Sequence, residues 1–347
     1  MPVRSLSRWV LPLSRWSRRA TAVCAATAAT AVLMTAPAAA VAGPAGKPAD
    51  EPFGDKVAAA KKFETKNLPG VNDWSCKPSA AHPRPLVLVH GTFDAGRVWG
   101  ETAKDYKKAG YCVFSLDYGK SGGLLSLVVG GIDSVAKSAK ELAVFVDGVL
   151  QATGKKQVDI VGHSQGGMMP RQYMKFEGGK DKVRTLVGIS PSSHGTGNSD
   201  FQESLIESNP DLEGLLESVK GMTDIIVGPI VDIPCPACND QRMGSPFMKK
   251  LNAGGDTLPG VDYTVIATKK DSVVTRPKDQ FLKPTEPSHK VKNILLQDVC
   301  PDNDARHPNS VSDPVATRLA LNALDPEHAV KPTCPTLADR LKELLPF

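Results

Sequence analysis

Val158-Asp159-Ile160-Val161-Gly162-His163-Ser164-Gln165-Gly166 decides the fold. Its first four residues are short and largely β-branched and apolar, the composition of a buried strand. Gly167 to Phe176 then reads as a helix stopped by Gly178-Gly179. A strand, a tight Gly-x-Ser-x-Gly turn and a helix make a nucleophile elbow, which pushes a serine hydroxyl out at the carboxyl edge of a sheet. The flanking glycines let the turn be sharp without Cβ clashes. The bare five-residue pattern yields about 0.1 chance matches in a chain this long, so its weight comes from the strand and the helix beside it.

Outward from the elbow the same alternation repeats. Pro85-Leu86-Val87-Leu88-Val89-His90 and Tyr111-Cys112-Val113-Phe114-Ser115-Leu116 read as strands, with a helix-like Gly100 to Ala109 between them. From Ser134 to Thr153, Val135, Ala139, Leu142, Ala143, Val146, Val149 and Leu150 recur at helical spacing, and Gly154 ends that helix. Thr185 to Ser190, Tyr263 to Thr268 and Val291 to Gln297 are further strands, and Pro314 to Ala323 is a late helix. This pattern predicts an α/β protein whose mostly parallel central sheet has helices on both faces. Its site should lie beyond the carboxyl ends of the strands. Those ends carry His90-Gly91, Asp117, Ser164, His194, Asp271 and, farther on, His307. Residues 192–261 break the rhythm with a helix-like Pro210 to Lys220, the apolar Ile225-Ile226-Val227 and a Cys-x-x-Cys. A connection this long predicts a cap-like insertion.

A serine hydroxyl needs an adjacent base, itself oriented by a third group. In the chain order Ser, acid, His, the base must come from His289, His307 or His328. His289 precedes a strand, at its wrong end, and His328 has a surface-like setting. His307 lies in the loop after the last strand, where it can swing over Ser164. The acid is read as Asp271, directly after the Tyr263 strand, with Asp298, Asp302 and Asp304 as competitors and Asp117 as a variant-order alternative. It would accept the imidazole's other N–H. Oxyanion donors are expected from the Gln165 N–H at the helix start and from the turn His90-Gly91-Thr92-Phe93, with the Thr92 N–H favoured. His194 either lines the site or steadies a turn. Phe93 and the apolar run Leu124-Leu125-Ser126-Leu127-Val128-Val129 are read as substrate-binding, the alternative for the run being a buried part of the next helix.

The N-terminus reads as a signal peptide over residues 1–42. Arg4, Arg8, Arg15, Arg18 and Arg19 precede an Ala/Val/Leu/Met run and an Ala-x-Ala-like cleavage site; Ser17-Arg18-Arg19 raises twin-arginine export. The chain has 42 basic and 37 acidic residues, and losing those five arginines leaves it neutral. That predicts neither nucleic-acid binding nor a polybasic membrane patch. Residues 43–83 read as a loosely ordered lead-in, and 84–347 as one domain with ample core. Six cysteines remain after the leader, an even number that favours disulfides in an exported protein. We expect Cys76–Cys112, Cys235–Cys238 and Cys300–Cys334. For Cys235-Pro236-Ala237-Cys238, a redox pair lacks a thioredoxin-like strand in front and a zinc site lacks a second ligand pair.

Leu88-Val89-His90-Gly91-Thr92, Asp159 to Gly167 and Thr268-Lys269-Lys270-Asp271-Ser272-Val273-Val274 resemble the secreted bacterial lipase/esterase family (class 2 triacylglycerol lipases) of the α/β-hydrolase fold. The resemblance covers most of Pro83 to Ala323. It implies Ser164 as nucleophile, Asp271 as acid, His307 as base, and Thr92 and Gln165 as oxyanion donors. One departure is Pro308, where such proteins often have a small or apolar residue; a following proline should hold His307 in extended geometry. The implied function is secreted, extracellular carboxylic-ester hydrolysis through an acyl-enzyme, on medium-chain acyl esters or lipids. No cofactor, no metal, no stable membrane anchor and a monomer are expected. An acyltransferase with the same acyl-enzyme and a non-catalytic binding protein are the alternatives.

Overall fold

Six strands pair in one sheet, each with its neighbour in parallel, in the order β2-β1-β3-β4-β5-β6. They are β1 (Leu86–Val89), β2 (Val113–Leu116), β3 (Val158–His163), β4 (Val183–Ile189), β5 (Asp262–Ala267) and β6 (Val291–Leu295). The structure is a computed structural model and describes residues 55–120, 129–197 and 234–336. The leader, the Pro210 to Lys220 piece and the Ile225-Ile226-Val227 patch lie outside the described residues. The chain steps from β1 to β2 on one side and returns to β3 on the other. The strand order therefore reverses at β1, the place beside which sites form in such sheets, at the loops that follow β1 and β3.

Strands buried on both faces must be apolar throughout, which is why β1 and β2 read as unbroken runs. Alternate residues sort into two cores. Val87, Val89, Phe114, Leu116, Ile160 and Val265 share one cluster with Val135, Leu142 and Val146 of helix α3 (Val135–Thr153) and Met168 and Tyr173 of helix α4 (Gln165–Phe176). Leu86, Leu88, Val113, Val161, Val187 and Ile266 share the other with Tyr106 of α2 (Thr102–Lys108) and Val315, Ala316 and Ala320 of α9 (Pro314–Leu324). Ser134 caps α3, which Gly154 ends at φ 69; Asp313 caps α9 by accepting the Ala316 N–H at 2.8 Å. The one acid of the elbow strand, Asp159, is fully buried and receives Arg84 Nε at 2.9 Å on both oxygens. Burial raises its pKa, more than Arg84 lowers it.

Two local expectations change. Val291 to Gln297 is not one strand, because Leu296–Val299 turns into a short helix, α8. Of the stretch read as a loosely ordered lead-in, residues 55–83 pack onto the domain. Helix α1 (Asp55–Ala60) lies against α3, and Trp74 meets Phe114 and Phe145 edge-on. Thr65 N–H bonds to the Ser115 carbonyl at 3.0 Å, and the Asn72 side chain spans the Ser115 N–H and carbonyl. Of the long connection before β5, the described residues from 234 onward include α5 (Pro236–Asp240) and α6 (Pro246–Asn252).

The disulfides are Cys76–Cys112, Cys235–Cys238 and Cys300–Cys334, the pairing expected from the sequence. The first ties the 64–76 segment to the start of β2. Closing a loop of this length removes unfolded-chain entropy worth about 3–4 kcal/mol. Cys76→Ser/Cys112→Ser should therefore lose about 3–4 kcal/mol in urea unfolding at unchanged secondary structure. A loss under about 1 kcal/mol would mean that the packing of Trp74 and Asn72 holds the segment alone.

Candidate active site

Ser164 joins the end of β3 to the start of α4 at φ 53 and ψ −122. A non-glycine residue at positive φ is held there by its surroundings. The elbow glycines serve close approach. A Cβ on Gly162 would stand 1.9 Å from the Gly166 carbonyl oxygen, and one on Gly166 would stand 2.1 Å from the Val89 carbonyl oxygen. The start of α4 is thereby pressed against the ends of β3 and β1. Ser164 itself is fully buried, and its N–H bonds to the Ile189 carbonyl at 2.9 Å.

A row of hydrogen bonds leads from its hydroxyl. Ser164 Oγ is 3.0 Å from His307 Nε2, and His307 Nδ1 is 2.9 Å from Asp271 Oδ2. The carboxylate only accepts when ionised, so Nδ1 carries the proton and Nε2 offers its lone pair to the serine hydroxyl. An isolated parallel bridge between Lys270 and Arg306 sets the loops after β5 and α8 in register. The next residue of each loop is Asp271 and His307. Asp271 also accepts the N–H groups of Val273 (2.9 Å) and Val274 (2.7 Å) and Gln280 Nε2 (3.0 Å). Burial pushes its carboxyl up, yet the charge and hydrogen bond of His307 and these amides together hold it below the usual carboxylate range.

His307 departs from expectation in its backbone. Before Pro308 it adopts φ −52 and ψ −55, helical rather than extended, and caps the 3-10 turn Pro308–Ser312. Two buried donors hold its carbonyl: His163 Nε2–H at 2.8 Å and Ser310 Oγ–H at 2.9 Å, with Ser190 Oγ 3.0 Å behind Ser310 Oγ. They outweigh the local steric preference.

Gln165 is the first residue of α4, where N–H groups have no partner within the helix. The turn after β1 lies alongside: a Cβ on Gly91 would be 3.1 Å from Ser164 Cβ. His90 fixes that turn. Its Nδ1–H donates to the Gly91 carbonyl (2.7 Å), its Nε2 accepts the Tyr118 N–H (3.3 Å), and its ring stacks on Tyr118. Tyr118 O–H bonds back to the His90 carbonyl at 2.7 Å, and Gln165 Nε2 reaches Tyr118 Oη and the Gly131 carbonyl. Thr92 and Gln165 thus flank Ser164 on two elements.

The other sequence-derived residues divide. Phe93 is fully buried in the core at φ 56. His194 has Asp256 Oδ1 on Nε2 (3.0 Å) and the Asp279 carbonyl near Nδ1 (3.1 Å). Asp256 also pairs with the buried Arg171 of α4, so His194 belongs to a bracing network. Leu124, Leu125 and Leu127 lie outside the described residues. His289 meets Thr257 Oγ1, exposed His328 meets Asp325, and Asp298 pairs with Lys269, all away from Ser164 Oγ. Asp117 accepts the Gly96 N–H and the Lys120 ammonium. Among the described residues no group of three or more His, Cys, Asp and Glu side chains converges as a metal site, and no helix is long and apolar enough to cross a membrane. The sequence reading missed Gln280, Gln241 and the bonding of His163 and His90. Lone amides carry no spacing signal, but His163, adjacent to the nucleophile candidate, could have been weighed.

His90 and His163 set a pH limit. Burial pushes His90 down to about 4 against an opposing pull from Asp117, and burial with the neighbouring His307 pushes His163 down to about 3. An unfolded chain titrates both near 6.5. Below that value the unfolded state binds more protons, so their contribution is full above about pH 6.5 and is lost as pH falls toward the folded values. Asp271, held low, loses its contribution only at still lower pH. Urea unfolding free energies should fall between pH 6.5 and 4.5 by up to about 1.4 kcal/mol per pH unit per histidine. A flat profile over that window would contradict two neutral buried imidazoles.

The chain matches the family model described as Lipase (class 2) over residues 83–315. It is similar to the crystal structure of Aspergillus fumigatus lipase B, with a TM-score of 0.56 and 19% identity over 77% of this chain and 56% of that one. It is also similar to the mature form of Bacillus licheniformis lipase BlEst2, with a TM-score of 0.47 and 17% identity over 73% of this chain and 94% of that one. This chain spans just over half the length of the Aspergillus protein, and that likeness shows the fold, an α/β-hydrolase sheet with helices on both faces. With the family model matching well over half of the sequence, the chain belongs to the class 2 lipase family.

Proposed function

We propose that the protein is a secreted serine carboxylic-ester hydrolase, a lipase or esterase, acting through an acyl-enzyme on medium-chain acyl esters. The observation that carries the reading is the unbroken row from Ser164 Oγ through His307 to Asp271, with links of 3.0 and 2.9 Å. In the proposed mechanism Ser164 Oγ attacks the ester carbonyl carbon while its proton passes to His307 Nε2. Asp271 keeps Nδ1–H in place and stabilises the imidazolium. Its depressed pKa favours this, because the carboxylate stays ionised beside the cation. Negative charge on the carbonyl oxygen is met by the N–H groups of Thr92 and Gln165, one such donor typically being worth 10²–10³ in rate. His307 then protonates the leaving alkoxide, and a water molecule, deprotonated by the same nitrogen, releases the acid. Family membership supports an ester or lipid substrate. The three disulfides support an oxidising, extracytoplasmic setting for the mature chain.

Ser164→Ala should abolish p-nitrophenyl ester turnover and fluorophosphonate labelling at an unchanged melting temperature. His307→Ala should lower kcat by several orders of magnitude. Near-normal turnover in either variant would overturn the mechanism.

The acyl wall is read as the apolar Leu124 to Val129 run. Each additional buried CH₂ is worth about 0.8 kcal/mol. In a chain-length series kcat/KM should therefore rise from acetyl to about hexanoyl or octanoyl esters. Leu125→Asp should flatten the rise and spare acetyl-ester turnover. A maximum at acetyl that the substitution leaves untouched would remove the medium-chain assignment and keep a generic esterase.

A further inference from the structure

The turn proposed to hold the oxyanion is braced by a segment the mechanism does not use. Cys235 and Cys238, both buried, close a disulfide at the start of α5. The Cys238 N–H lies 3.0 Å from the Cys235 carbonyl and 3.1 Å from its Sγ. The same short helix is fastened to the start of α3, by Ala237 N–H on the Ile132 carbonyl (3.2 Å) and Asp240 Oδ2 on the Val135 N–H (2.9 Å). Gln241 ends α5 with its side chain fully buried. Ser192 Oγ–H donates to its Oε1 at 2.7 Å, which fixes the amide's orientation. Its Nε2 therefore faces Thr92 Oγ1 at 2.8 Å and the Ala237 carbonyl at 3.2 Å, with Gln165 Oε1 at 3.5 Å. One side chain touches both residues that flank Ser164.

We propose that Gln241 is a positioning residue for the Thr92 turn, held in place by the disulfide-closed helix α5. The inference rests on the hydrolase reading above. Thr92 precedes Phe93, whose positive φ is unusual for its type, so contacts rather than intrinsic preference hold this turn. A donor aimed at a developing charge loses its effect steeply when displaced. A five-residue helix has little stability of its own, and the crosslink across its first turn supplies the rigidity that its length does not.

The test is kinetic. Gln241→Met keeps the length of the side chain and removes the donor. It should lower kcat on a p-nitrophenyl ester about 10- to 100-fold, with KM changed by less than about twofold and an unchanged circular dichroism spectrum. Thr92→Val removes the hydroxyl and keeps the N–H. In that background Gln241→Met should cost less than about twofold more. A purely structural role would instead give additive losses, with kcat and KM moving together, and would overturn the proposal, as would an unchanged kcat. Cys235→Ser/Cys238→Ser should reproduce part of the kcat loss, and normal kcat there would overturn the clamp. Should Gln241→Met not fold, Gln241→Glu decides in its place. Its carboxylate loses the donor on ionising, so its kcat relative to wild type should fall as pH rises; a pH-independent ratio would overturn the idea. Turnover surviving in Ser164→Ala would remove the hydrolase reading itself, an outcome separate from all of these.

Discussion

The approach of three stretches of main chain around Ser164 is the constraint on which the rest of the site depends. The carbonyls of Val89, His90 and Gly166 occupy the space where side chains at positions 162 and 166 would stand. With hydrogen there, β1, β3 and α4 interlock, and Gln165 comes to lie beside the turn that holds Thr92. With a methyl group at either place, backbone must move, because no flexible side chain is available to yield. The elbow motif is therefore a packing requirement before it is a chemical one. Ser164 holds the unusual dihedrals of the turn while its two glycine neighbours make room for it.

The second support is the bond between the elbow strand and the loop that carries His307. His163 takes part in the elbow by position and in the opposite loop by hydrogen bonding, since its Nε2–H holds the carbonyl of His307. That bond requires a proton on Nε2, and burial together with the neighbouring His307 keeps the ring neutral, with Nε2 the nitrogen that carries the proton. The helical backbone of His307 before a proline is thus maintained by partners from β3 and the 3-10 turn, the second backed by Ser190 just after β4. The neighbour of Ser164 and the backbone of His307 are one mechanical unit, so a change at His163 is expected to reach the geometry of both.

Much of this was legible in the sequence, and for a physical reason. Strands buried on both faces are apolar throughout, and in a parallel sheet the loops after them share one edge. Ser164, Asp271 and His307 could be selected because each follows a strand in the required order, and the structure brings all three into one row of hydrogen bonds. What escaped has equally physical causes. Gln280 and Gln241 act through single amides that no periodicity marks. The Lys- and Pro-rich composition of residues 55–83 hides the few side chains, Thr65, Asn72 and Trp74, that attach the segment to the sheet. The apolar run from Val291 continues into Leu296, so composition gave no notice that the chain turns helical there. At Pro308 a sound local rule was overridden by tertiary bonds.

An open sheet has two margins at which its peptide groups can recruit a foreign strand, and here they are guarded by different means. Along β2, the chain's own 64–72 segment occupies the margin, with Glu64 bridged antiparallel to Leu116 and Thr65 and Asn72 bonded to Ser115 and Val113. That flank is closed to intermolecular pairing by structure. Along β6 the guard is chemical: Lys292 is exposed within the strand, Lys290 stands just before it, and Asn293 turns its amide to Leu282. Charge and a strand of only five residues discourage an incoming chain there, where among the described residues no further strand pairs with β6. The two margins are thus guarded by lysine at one end of the sheet and by the 64–72 segment at the other. A proteolytic cut before Cys76 that freed residues 64–72 would take Leu68 and Val71 off the core and expose the margin of β2, whose strand carries no charge to defend it.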